Sequence, residues 1–258
     1  MQEKLKSLFE SHTGLLLRTA SKALIFAFLL YMYGTYTLWV WFVISIFGSL
    51  YLYFKEQVHS KLFLPSFLVL IGASFLSISR MSPESTAFLA TLSLYFGILF
   101  FILLGVKNLI FIHRILPYYF LNTFLFAAIF MLFFASDTGG FFTHTYLLLC
   151  AAVFSLVREF LGFNFAPTLG LLQTPVAIRR NIIALIFTFL LMEFVWVVAL
   201  LPLGFLNAAS FMVLVILLLE DLLLHTLSGT LTRPIILRNA TFFLSISFLI
   251  FWFSKWIP

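Results

Sequence analysis

Four ionisable residues lie inside long apolar stretches of this chain, where a charge is hard to accommodate: Glu193, Glu220, Asp221 and His225. A carboxylate in apolar surroundings costs several kcal/mol unless it is protonated or paired, so its position requires a physical reason. Groups that gain and lose protons in such surroundings are typical of proton relays and polar binding sites. The sequence therefore predicts a relay or polar site built on these side chains.

The spacing of these residues indicates which of them can meet. Asp221 and His225 are four residues apart, so on a helix they share a face and can form a hydrogen bond. Glu220 points about 100° away from Asp221 and needs a partner on another helix. Polar groups predicted at compatible depth are Arg158, Arg179, Arg233 and Asn122. The alternative is a set of buried pairs that fixes helix packing, with Glu193 held neutral.

Glu193 lies about a dozen residues into its apolar run, which at about 1.5 Å per residue is near the middle of a bilayer. Any partner of its carboxylate has to come from another helix, because the neighbours on its own helix face are apolar. Those neighbours are Ile186, Phe189, Leu190, Trp196 and Val197.

Composition indicates which solvent surrounds these residues. Of the 258 residues, 63% are hydrophobic and only 9% are charged, whereas about 25% of the residues of a soluble domain are charged. The chain therefore has to be solvated by lipid, as a single integral membrane domain over residues 1–258. Its net charge is +6. The Lys and Arg residues are scattered singly or in pairs at the ends of apolar runs, which argues against a nucleic-acid partner.

Apolar runs long enough to cross a bilayer predict an all-α, polytopic transmembrane bundle of about nine spans. The alternating pattern of a membrane β-barrel is absent from the sequence. The predicted spans cover approximately residues 19–33, 36–54, 62–79, 86–106, 115–135, 141–157, 181–201, 207–228 and 239–256.

Positive residues predict the orientation of these spans. With the N-terminus in the cytoplasm and the C-terminus outside, only Arg80 and Lys255 of the 15 Lys and Arg residues are external. Cytoplasmic loops carry most of the Lys and Arg of membrane proteins, so we expect this orientation, in a plasma or inner membrane. The cytoplasmic positives are Lys4, Lys6, Arg18, Lys22, Lys55, Lys61, Lys107, Arg114, Arg158, Arg179, Arg180, Arg233 and Arg238.

Two segments are predicted not to span. Residues 1–17 mix charges with apolar residues near helical spacing, which favours a short helix on the cytoplasmic surface. Residues 158–180 form the longest connection and are apolar, with Gly162, Pro167, Gly170 and Pro175 expected to interrupt any single helix. We expect this connector either to lie at the membrane surface or to re-enter the protein. In the second case it would form part of a substrate path or a docking surface.

Catalytic and metal-binding motifs are absent from the sequence. The five histidines are His12, His59, His113, His144 and His225, without the spacing of zinc ligands, and Cys150 is the single cysteine. No phosphate-binding or dinucleotide-binding loop is present. No metal and no cofactor is expected, and an enzyme is the less favoured class.

Three functions are compatible with these observations. The first is a small transporter or translocation subunit that uses the intramembrane carboxylates. The second is a scaffold or assembly subunit of a membrane complex, with other membrane-protein subunits and lipid as partners. The third is an enzyme that acts on lipid or isoprenoid substrates. Convergence of the ionisable residues on one cavity favours the first or third, and pairwise burial favours the second.

Overall fold

The computed structural model describes residues 2–36, 39–55, 61–80, 85–111, 113–136, 144–169 and 176–254; at 2–12, 165–169 and 176–177 it describes only the backbone. Within these ranges the regular structure consists of nine α-helices and contains no strand. The helices are α1 Gln2–Tyr36, α2 Trp39–Phe54, α3 Leu64–Arg80, α4 Thr86–Lys107, α5 Ile115–Ala135, α6 His144–Leu169, α7 Val176–Ala199, α8 Phe205–Leu227 and α9 Arg233–Phe253.

Seven of these helices contain a segment that is long and apolar enough to cross a membrane. The other two, α2 and α3, are apolar but have only 16 and 17 residues. The protein is therefore a helical, membrane-embedded protein, as the sequence predicts. The seven segments are Thr13–Tyr36, Thr86–Lys107, Ile115–Ala135, His144–Asn164, Ile178–Ala199, Phe205–Leu227 and Arg233–Phe253.

The chain forms two compact units, Met1–Leu125 and Phe126–Pro258, and α5 begins in the first and ends in the second. In the first unit α1 packs chiefly against α4 and also against α2, and α3 packs against α4. Phe26 stacks on Phe100 with ring centroids 4.5 Å apart, which holds the centres of α1 and α4 together. The core of the first unit thus contains aromatic rings packed among aliphatic side chains.

Small residues bring α1 and α4 close together. Gly97 is buried on α4, and a Cβ added to it would lie 2.8 Å from the Cβ of Ala27 and 3.4 Å from the carbonyl oxygen of Ala23. Ala23 and Ala27 are one turn apart on α1, as Ser93 and Gly97 are on α4. Such pairs of small residues are typical of closely packed membrane helices, because they let the backbones approach.

We expect Gly97→Ala to lower the free energy of unfolding by about 1 to 3 kcal/mol, because the added methyl group overlaps Ala27 across the helix interface. Equilibrium unfolding in mixed detergent micelles, followed by circular dichroism, measures the change. The control is Gly72→Ala on α3, where the added methyl group meets no atom within 4 Å. Equal effects of the two substitutions would show that the crossing is not tightly packed.

In the second unit, helices that follow each other in sequence pack on each other. α6 packs against α7, α7 against α8, and α8 against α9. The Tyr146 hydroxyl of α6 donates to the Met192 carbonyl of α7 at 3.0 Å. On α8, Phe211 contacts the rings of Phe243 and Phe251 of α9, at 5.8 and 5.5 Å between centroids. This row of helices positions most of the predicted site residues.

Several helix ends differ from the sequence prediction. α1 is continuous from Gln2 and includes Gly34, which lies between the first two predicted spans, and α9 begins at Arg233 instead of residue 239. α6 continues through Gly162 and Pro167 to Leu169, so the predicted interruptions at these two residues are wrong. Gly162 lies inside the candidate span His144–Asn164, where an unbonded backbone group in lipid costs several kcal/mol, which outweighs the about 1 kcal/mol helix penalty of glycine.

Some predicted features lie outside the described residues. They are residues 170–175 of the predicted connector, the loops at 56–60, 81–84 and 137–143, and Lys255. The described part of the connector is helical on both sides of this gap, in α6 up to Leu169 and in α7 from Val176. The predicted connector is therefore shortened, and its surface or re-entrant position stays a prediction.

Candidate functional site

The C-terminal end of α8 carries a cluster of polar side chains. Asp221 and His225 lie on one face, as their spacing predicts, with 3.7 Å between Asp221 Oδ1 and His225 Nε2. This separation is that of an ion pair and is longer than a hydrogen bond. The histidine side chain is 28% exposed and the carboxylate 41%. The pair is therefore partly open to the surroundings.

Two residues of α9 complete the environment of Asp221. The Asn239 amide donates to Asp221 Oδ2 at 2.5 Å, and Arg238 Nη2 lies 3.9 Å from the same oxygen. The sequence indicates Arg238 only as a topological anchor and Asn239 as the start of a span. The tight connection between α8 and α9 was the available signal, because it brings the end of one helix beside the start of the next.

The other ring nitrogen of His225 contacts a hydroxyl supplied by the end of α8. Gly229 has a φ of +69°, and the Thr230 amide donates to the His225 carbonyl at 3.0 Å. This is the glycine-containing cap that closes many helices. It places Thr230 Oγ1 2.9 Å from His225 Nδ1 and 2.8 Å from Ser228 Oγ. The result is a row of polar side chains joined by hydrogen bonds except between Asp221 and His225, described below as the α8 polar chain: Asn239, Asp221, His225, Thr230 and Ser228.

We expect Asp221→Asn to weaken the attachment of α9 by about 1 to 2 kcal/mol, because it removes the charge from a hydrogen bond and an ion pair. Hydrogen exchange of α9 amides in detergent measures the loss. A double-mutant cycle with Asn239→Ala should show coupling of about 1 kcal/mol. Additive effects of the two substitutions would contradict the contact between α8 and α9.

Glu220 lies on a different face of α8 from Asp221, as the predicted rotation requires. Its side chain is only 3% exposed and shares the buried face of α8 with Met212 and Ile216. Arg158, one of the four polar residues predicted at compatible depth, is exposed on α6 and forms no ion pair with any described residue. Of these four candidates, Arg158 is therefore not the one that pairs with Glu220.

Glu193 is exposed on the outer face of α7, and no described residue forms a hydrogen bond or ion pair with its carboxylate. Phe189, Leu190 and Trp196 on the same face are exposed as well, so its helix neighbours are apolar, as predicted. Glu193 precedes the last residue of α7, Ala199, by six residues, so it lies about 9 Å from that helix end along the helix axis. Its depth in the bilayer stays a prediction.

Within the second unit, the predicted site residues lie at several separate positions. Asp221 and His225 are together, Glu220 is buried on another face, and Glu193 is exposed on a neighbouring helix. Asn122 is fully buried on α5 within the first unit. No group of three or more metal-ligating side chains occurs in the described part of the chain. The arrangement consists of separate polar positions and the α8 polar chain.

Lys107 is a polar residue whose role sequence analysis missed. It is fully buried at the end of α4, where its ammonium donates to the Tyr53 carbonyl of α2 and lies 4.1 Å from the centroid of the Tyr53 ring. The ring of Tyr53 stacks on Phe67 of α3, with centroids 4.0 Å apart. The lysine therefore joins α4 to α2 in addition to marking the end of a span. Its place at a span end hid this role in the sequence.

Searches of known protein families, of curated proteins and of solved structures found no match to this chain.

Proposed function

We propose that this protein is a subunit of an integral membrane complex and that α7 is the helix by which it binds its partner. Exposure of Glu193 carries this proposal. Apolar side chains on an outer helix face are stable against lipid, but a carboxylate there costs about 3 kcal/mol. A transmembrane helix of another chain that carries a Lys, Arg or hydroxyl donor would remove this cost. The separate positions of the other ionisable residues also favour an assembly role.

The proposed topology has nine spans, with the N-terminus in the cytoplasm, the C-terminus outside and the plasma or inner membrane as location. α2 and α3 are about 24 and 26 Å long at the usual rise per residue. Helices somewhat shorter than the hydrocarbon core are tolerated, because the bilayer thins around them. If α2 and α3 both cross, Lys55 and Lys61 lie on the cytoplasmic side, where such residues accumulate.

Photo-crosslinking from position 193 tests the proposal. A photoreactive residue at 193 should link the chain to one protein, and native mass spectrometry should find that protein in a fixed ratio to the chain. The matched position is Phe248 of α9, also exposed, from which lipid adducts are expected. Purification of the chain as a monomer without a second protein would contradict the proposal.

The second candidate function is transport, and the α8 polar chain favours it. A carboxylate, an imidazole and two hydroxyls follow one another in this chain, and each of these groups can accept or donate a proton. If the protein alone moves protons or solute across vesicle membranes, Asp221→Asn and Glu193→Gln should abolish the flux. Wild-type flux in both variants would exclude this role for the two carboxylates.

A further inference from the structure

Three arginines gather where the second half of α6 meets the start of α7. The hydrogen bond from Tyr146 to Met192 aligns α6 with α7, which pack against each other. Arg158 is exposed on α6 twelve residues after Tyr146, and Arg180, in the second turn of α7, lies twelve residues before Met192, so the two occupy the same level of the helix pair. Arg179 is adjacent in sequence to Arg180 and is exposed. Cations at one level of a membrane helix pair repel each other unless an anion lies between them.

No counter-ion for these arginines is present in the described parts of the chain. None of the three forms an ion pair or hydrogen bond with a described carboxylate. The Nε–H of Arg180 is moreover buried without an acceptor among the described residues. A buried donor of this kind costs about 1 to 3 kcal/mol when it is left unbonded. The cluster therefore lacks both negative charge and acceptor oxygens.

We propose that Arg158, Arg179 and Arg180 bind the phosphate group of an anionic phospholipid at the junction of α6 and α7. Guanidinium groups form paired N–H bonds to phosphate oxygens, so one phosphate supplies both the charge and the missing acceptors. Arg179 and Arg180 follow directly after Ile178, where the α7 span begins, which is the level of the lipid headgroups. The positive end of the α7 dipole favours the same anion.

This site is independent of the proposed subunit role, because it lies at the opposite end of α7 from Glu193. We favour a lipid headgroup over free phosphate as the source of the bound phosphate group, because basic pockets between membrane helices bind anionic headgroups. The long arginine side chains also reach from the apolar region to the headgroups.

Native mass spectrometry of the full chain in nanodiscs of phosphatidylcholine with added phosphatidylglycerol tests the site. We expect Arg158→Gln and Arg180→Gln each to weaken phosphatidylglycerol retention about fivefold, since each removes one charge near the headgroup. Arg233→Gln is the matched control, because it removes one exposed positive charge near a span end. Retention by Arg233→Gln should equal that of the wild type.

Two outcomes would overturn the proposal. Equal weakening by all three Gln substitutions would show a diffuse charge effect without a site. Displacement of phosphatidylglycerol by millimolar inorganic phosphate would assign the cluster to free phosphate. If Arg180→Gln fails to fold, judged by helicity and monodispersity, Arg180→Lys serves instead. It keeps the charge but not the paired bonds, and should weaken retention about twofold; unchanged retention would count against the site.

Discussion

Replacement of Lys107 by alanine is expected to lower the free energy of unfolding by about 3 kcal/mol, one of the largest effects of any single substitution in the first unit. The lysine is fully buried, donates to the Tyr53 carbonyl and lies over the Tyr53 ring. Alanine removes the hydrogen bond and the attraction to the ring, and it leaves a cavity at the ends of α2 and α4. Because Tyr53 also stacks on Phe67, loss of the lysine should loosen α3 as well.

Equilibrium unfolding in mixed micelles measures this loss, and the chain offers a close control. Lys55 also lies over a tyrosine ring, 5.4 Å from the centroid of Tyr51, but it is exposed. We expect Lys55→Ala to lower the free energy of unfolding by less than about 1 kcal/mol, since the attraction between an exposed lysine and an aromatic ring is weak. Comparable losses for the two variants would mean that burial of Lys107 contributes nothing.

The existence of the helices was predictable because long apolar runs have few alternatives in lipid, where every backbone group must be bonded. Their ends were not. The sequence around Gly162 and Pro167 contains residues that end helices in water, yet α6 passes through both. At the end of α8 the opposite holds, since Gly229 adopts a positive φ and closes the helix near the predicted position. Glycine thus lies within one helix and closes another, which residue type alone does not distinguish.

The candidate site was predictable only where it depends on a single helix. The shared face of Asp221 and His225 follows from helical spacing, and so does the separate face of Glu220. The partners Asn239 and Arg238 depend on how α9 packs beside α8, which sequence spacing does not specify. The burial of Lys107 likewise depends on α2 lying against the end of α4. Contacts between helices therefore account for most of what sequence analysis missed.

Glu193→Leu is expected to dissociate the proposed complex while leaving the folding of the isolated chain unchanged. Removing one member of a buried polar pair between subunits costs about 2 to 5 kcal/mol, equivalent to a loss of about 30-fold or more in affinity. The carboxylate is exposed in the folded chain and forms no described hydrogen bond, so its removal takes nothing from the packing of α7. Assembly and stability should therefore respond separately to this one substitution.

Size-exclusion chromatography in mild detergent measures the first effect, and equilibrium unfolding of the isolated chain measures the second. We expect the free energy of unfolding of Glu193→Leu to lie within about 0.5 kcal/mol of the wild-type value, as for other exposed positions. Phe189→Leu, on the same outer face, is the matched control and should retain the complex. If Glu193→Leu destabilised the isolated chain, the carboxylate would have its partner within the chain, and α7 would lose its assignment as the binding helix.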